Sequence, residues 1–179
     1  KGFKSFYNIG IPIYSDTNTL TNSFNYKYYT ELYEENITTA SFQIRTANSI
    51  SNEDIKLSER LFVPSRSLRG FEYGKVGPKD GDDFIGGNYM TSLNFTSTIP
   101  QLFPTAQNFD FLFFVDVANI WGVDYDSSLD SSNEIKSSFG IAIDWMTVVG
   151  PLNFSLAQPI TKSDGDITET FRFNLGTTF

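Results

Sequence analysis

Apolar side chains recur at every second position along most of this chain, and helical spacing is almost nowhere. Phe3, Ser5, Tyr7, Ile9, Ile11 and Ile13 share one face. After a turn at Ser15-Asp16-Thr17-Asn18, the pattern repeats in Leu20, Asn22, Phe24, Tyr26, Tyr28 and Leu32. Phe42 and Ile44 centre a third strand over residues 37–50. Tyr89, Thr91, Leu93, Phe95 and Ile99 alternate with Asn88, Ser92, Asn94 and Thr96, up to a turn at Pro100 to Pro104. Phe109, Phe111, Phe113, Val115, Val117 and Trp121 form the next apolar face, with Asp110, Asp116 and Asn119 between them. Phe139, Ile141, Ile143 and Trp145 follow, then a tight turn at Gly150-Pro151, then Leu152, Phe154, Leu156 and Ile160. The last strand reads Ile167, Phe171, Phe173, Leu175 and Phe179 against Thr168, Thr170, Arg172, Asn174 and Thr178. Such a chain folds as antiparallel strands with one apolar face and one of small polar residues.

Two architectures fit that alternation, a soluble β-sandwich and a membrane β-barrel. The aromatic content separates them. It is 16%, with 18 Phe and 9 Tyr, and large side chains sit on the apolar face of strand after strand. A wall facing lipid uses them, and a mean hydropathy of -0.22 conceals the apolar band because polar positions alternate with it. About eight strands are expected, each near the length that a tilted membrane strand needs. Short connections alternate with long ones, 51–84 and Asp124 to Glu134 among the latter. A loop as long as 51–84 is usually functional. The expected fold class is an all-β, antiparallel transmembrane β-barrel with a wet interior. No apolar run is long enough for a transmembrane helix. No signal peptide is visible at Lys1, and the chain starts inside a strand, so a fragment is expected.

Several functions are disfavoured. Without cysteine there is no disulfide framework and no thiolate zinc site. Without histidine there is no Ser-His arrangement, so Asp110, Asp116 and Asp144 remain as a bare carboxylate set. A net charge of -8 argues against nucleic acid. Asp80, Asp82, Asp83 and Asp124 to Asp130 do not have EF-hand spacing and read as solvated acidic loops. Neither enzymatic chemistry nor a cofactor nor a metal is expected.

Specific motifs begin at Leu68-Arg69-Gly70-Phe71 and continue with Val76-Gly77-Pro78-Lys79 and Gly86-Gly87-Asn88. Then come Gly140-Ile141-Ala142-Ile143-Asp144-Trp145-Met146, Gly150-Pro151-Leu152, Ala157-Gln158-Pro159 and Lys162-Ser163-Asp164-Gly165-Asp166. The chain closes on Phe171-Arg172-Phe173-Asn174-Leu175-Gly176-Thr177-Thr178-Phe179. In order and spacing these resemble the last third of the barrel in the BamA family of outer-membrane assembly factors. The match is clear over Leu68 to Phe179, and residues 1–67 fit by strand pattern alone.

The resemblance implies that 1–179 is the C-terminal portion of an outer-membrane β-barrel, about eight strands of about sixteen. The loop 51–84 would be the sixth extracellular loop, folded into the lumen. Its Arg69 would pair with Asp116 on the inner wall, with Gly70 allowing a tight turn and Phe71 packing on the wall. The family's second acid is Asn94 here, and its glycine after the strand aspartate is Ala118. Phe171, Phe173, Leu175, Gly176 and Phe179 would form one side of a lateral seam. The implied function is insertion of outer-membrane proteins. Implied partners are unfolded barrel clients, membrane lipids and accessory assembly lipoproteins. Two other readings are a two-partner secretion transporter and a small structural barrel. Open sheet edges do not survive in lipid. Either further strands lie outside this chain, or these strands close on themselves.

Overall fold

The computed structural model describes residues 1–13, 18–51, 53–100, 108–132, 134–148 and 150–175. Its strands are β1 (Gly2–Gly10), β2 (Thr19–Thr30), β3 (Thr38–Ser49), β4 (Lys79–Asp80), β5 (Asp83–Phe84), β6 (Tyr89–Thr98), β7 (Phe109–Trp121), β8 (Lys136–Thr147), β9 (Gly150–Thr161) and β10 (Phe171–Leu175). Among the described residues, eight of them form one antiparallel sheet in the order β1-β2-β3-β6-β7-β8-β9-β10. The small β4-β5 hairpin lies in the long loop between β3 and β6. β1 and β10 do not pair, so this is an arc of barrel with two edges.

Register puts the aromatics where two membrane interfaces would lie. Along β7, Phe109 stacks on Trp145 at 4.9 Å at one end, and Trp121 stacks on Tyr89 at 5.9 Å at the other. These are the two ends of a strand of thirteen residues, twelve steps apart. At about 3.3 Å per residue and a tilt of about 40°, they stand about 30 Å apart, close to the thickness of a bilayer core. Between them Phe113, Phe139, Ile141 and Leu156 point outward and are exposed in the isolated chain.

The interior departs from the expected wet face. The loop 51–84 folds back onto the sheet, and the core lies between the two. Leu61, Val63, Leu68, Phe71 and Val76 of the loop pack with Ala47, Met90, Ala118 and Ile120 of the wall. The inward positions of β6 and β7 are apolar there because the loop dries them. The wet part lies lower, in a cavity of about 570 Å³ lined by Asn25, Lys27, Gln43, Asp144, Asn153 and Asn174 among others.

Three local expectations need correction. The last strand begins at Phe171, not Ile167, because Ile167 and Thr168 pair with the loop at Lys75 and Phe71 instead of with β9. Gly150 and Pro151 are paired strand residues, opposite Thr147 and Met146, so the tight turn lies just before them. Met146 gives its amide to Asn108. It and Pro151 therefore form a pair that exchanges no hydrogen bonds, where Pro fits a strand. Asn119 shares the outward parity of Val117 yet is buried, because its amide is held by the Ser132 carbonyl of the next loop. The turn residues Ser15, Asp16, Thr17 and Pro104 lie outside the described residues.

Candidate functional site

Arg69 and the inner wall form a densely bonded polar site. Its guanidinium takes Asp116 in two bonds, Nε to Oδ2 at 2.7 Å and Nη2 to Oδ1 at 2.7 Å. The Arg69 backbone amide adds a third at 3.0 Å, and the Asn94 side-chain amide a fourth at 2.8 Å. Asp116 is fully buried and Arg69 nearly so. A buried carboxylate without donors would be very costly, and this one has four.

Asn94 is therefore more than a lost acid. It donates to Asp116 and also to the Ser67 carbonyl at 2.9 Å, tying wall, loop and carboxylate together. An acid at this position could not donate.

The wall beneath the arginine is shaped for it. The guanidinium lies 3.5 Å over the buried Phe114 ring, a cation–π contact. That ring lies flat because its register partner on β8 is Gly140. A Cβ there would come within 2.6 Å of the ring and 2.9 Å of the Ala157 backbone. Gly70 makes the matching concession in the loop. Its φ is +90°, and a Cβ would sit 3.1 Å from Ala157 and 3.3 Å from Ser138. The Ser138 hydroxyl donates to the Arg69 carbonyl. Leu68 and Phe71, on either side of Arg69-Gly70, are both buried.

A second arginine pins the loop near the rim. Arg60 pairs with Asp124, whose carboxylate also accepts the Ile55 amide at 2.6 Å. Burial pushes the Asp124 carboxyl up, but the Ile55 and Asp124 amides and the Arg60 charge outweigh it, and the net direction is down from 3.8. Next to this, Lys136 joins Glu134 at 2.8 Å and Asp166 at 3.5 Å.

The other sequence-derived residues lie apart. Phe171, Phe173 and Leu175 point outward, with Phe173 against Phe154 at 5.0 Å, and do not approach Arg69. Gly176 and Phe179 lie outside the described residues. Asp110 and Asp144 are register partners, whereas Asp116 is about 20 Å further along β7, so the three carboxylates form no common site. Three residues went unread. Gly140 opens a motif without a role being read for it, and Ser138 is one more small polar residue of an alternating strand. Arg172 reads in sequence as a polar alternate within the closing motif, and in the fold it is the cation facing inward on β10. It donates to the Ser65 carbonyl at 2.7 Å, the Phe71 carbonyl at 2.6 Å and Glu169 at 2.7 Å.

A lipid-facing band, aromatic pairs at two levels and a long loop bonded to the inner wall define a segment of an outer-membrane β-barrel with an inward-folded loop. The chain belongs to the Omp85 superfamily, whose domain matches residues 4–179. It is 31% identical over 144 residues to the outer membrane protein assembly factor BamA of Neisseria meningitidis serogroup B, covering 63% of this chain and 18% of that one. It is 25% identical to a SAM50-like protein of Schizosaccharomyces pombe over 71% of this chain and 28% of that one. The crystal structure of BamA from Haemophilus ducreyi lacking POTRA domains 1-3 superposes with a TM-score of 0.84 at 29% identity, over 98% of this chain and 38% of that chain. The chain thus spans less than a third of the curated relatives' length and is a BamA-like C-terminal barrel segment of the bacterial outer membrane.

Proposed function

We propose that the full-length protein carrying this chain inserts β-barrel proteins into the outer membrane, with no catalytic chemistry. Its partners on this reading are unfolded barrel clients, membrane lipids and accessory assembly lipoproteins. The observation that carries the reading is the Arg69–Asp116 pair, which fixes the loop 51–84 on the inner wall. The printed role of the BamA relatives, outer membrane protein assembly, supports it. β10 supports a lateral seam as the route. It is an end strand of the sheet, paired with β9 on one side through Phe171–Leu175. An edge of that kind offers free N–H and C=O groups to an incoming client strand.

The test is Arg69→Ala in the full-length protein. Assembly of a reporter barrel is followed in membranes, and folding of the variant by heat-modifiable gel mobility. Failed reporter assembly by a folded variant is expected. Normal assembly would refute the role of the loop.

A further inference from the structure

We propose that Arg172 is a positioning residue that couples the pairing of the last strand to the seating of the loop. The inference deepens the insertase reading, because it links the proposed seam to the proposed working loop.

The argument is geometric. Arg172 sits in the middle of β10, opposite Ser155 of β9, with its side chain on the inner face. Only 10% of that side chain is exposed. Two of its nitrogens go to backbone carbonyls of the loop, Ser65 at 2.7 Å and Phe71 at 2.6 Å. These carbonyls flank the turn that presents Arg69. One guanidinium thus closes both ends of the turn, which a lysine ammonium, a point donor, cannot do in the same geometry. The third nitrogen takes Glu169, which is itself tied to the loop through its amide on the Gly70 carbonyl at 3.0 Å. Thr168 bridges to Phe71, and Ile167 donates to Lys75. The segment before β10 therefore pairs with the loop where it would otherwise pair with β9.

The consequence is a two-way linkage. Moving β10 away from β9 removes donors from two loop carbonyls beside Arg69. Unseating the loop removes the acceptors of a guanidinium on β10, leaving it nearly buried with Glu169 alone. Each event makes the other easier.

Cysteine labelling tests this, since the chain has no native cysteine. Ser67→Cys is placed in the full-length protein, with any cysteine elsewhere in it replaced. Ser67 is 9% exposed, so a water-soluble maleimide reads loop opening. With Arg172→Gln added, the labelling rate is expected to rise on the order of tenfold while the barrel stays folded by heat-modifiable mobility. Arg172→Lys should give an intermediate rate, and it decides the question if Arg172→Gln does not fold. In the other direction, Arg69→Ala should speed hydrogen exchange of the peptide over 171–175. A residue that merely holds β10 to β9 would change exchange in β10 and leave Ser67→Cys labelling alone. Wild-type labelling in both Arg172 variants, or unchanged β10 exchange in Arg69→Ala, overturns the coupling. These readouts need no client, so loss of the insertase reading by normal reporter assembly leaves the coupling to be judged on labelling and exchange.

Discussion

Two Arg–Asp pairs fasten the same loop, and they differ in nearly everything except their chemistry. Arg60–Asp124 lies near the rim, its aspartate side chain 24% exposed. Arg69–Asp116 lies in the wall, its aspartate fully buried. The rim carboxylate is shared with the Ile55 amide and with its own backbone amide. The wall carboxylate has four donors, and its arginine is stacked on an aromatic ring. Water reaches the carboxylate of the first pair and not that of the second. Breaking the wall pair takes the acceptor from four donors at once, whereas at the rim the partly exposed Asp124 can turn to solvent and Arg60, only 2% exposed, keeps the Tyr125 ring at 5.0 Å.

The largest effect should come from Asp116→Ala. It takes the shared acceptor from the Arg69 guanidinium, the Arg69 amide and the Asn94 amide. Removing one member of a buried pair costs about 3–5 kcal/mol, enough to lift the loop from the sheet. Protease cleavage within 51–84 of the folded full-length barrel is the measurement. A loop as resistant as wild type would mean that apolar packing by Leu68 and Phe71 holds it without the ion pair.

Gly140→Ala separates the ion pair from its platform. The new methyl meets the Phe114 ring at 2.6 Å and also the Leu156 carbonyl, which is backbone and cannot yield cheaply. Overpacking of this kind costs about 1–3 kcal/mol. The ring should tilt toward Arg69, and cleavage of the loop should rise while Asp116 remains. Wild-type cleavage would show that the flat ring under the guanidinium contributes little.

How much of this was open to sequence reading follows from what each level depends on. The strands are legible from period-2 alternation, because most outward positions of β6 to β9 face lipid and are apolar there. The long loop was marked by its Gly and Pro content, and the motif around Arg69 directed attention to Asp116. The dry upper interior was not legible. Met90, Phe114 and Ile120 are inward and apolar only because a segment distant in sequence covers them. Arg172 was hidden for a similar reason. Its acceptors are backbone carbonyls of Ser65 and Phe71, and carbonyls carry no residue identity. The start of the last strand was misread because alternation from Ile167 onward is satisfied equally by pairing with β9 or with the loop.

The smallest effect should come at the rim, and pH is its most direct probe. Asp124 is held below its ordinary value of 3.8 in the folded chain. A carboxyl lowered by folding contributes stability that is fully present above the unfolded value and is lost as pH falls through the folded one. Rim fastening should therefore be constant from neutral pH down to about 4 and should weaken below that. Hydrogen exchange at 55–61, corrected for the intrinsic rate at each pH, reads it. Asp124→Asn keeps one oxygen to accept from Arg60 or the Ile55 amide, so it should raise exchange at neutral pH by an amount equivalent to about 1 kcal/mol, and should flatten the acid dependence. Exchange around Arg69 should not follow in that variant, because its own carboxylate is untouched. If Asp124→Asn instead loosened residues 67–71 as much as 55–61, the two fastenings would be one cooperative unit, and the contrast between rim and wall would collapse.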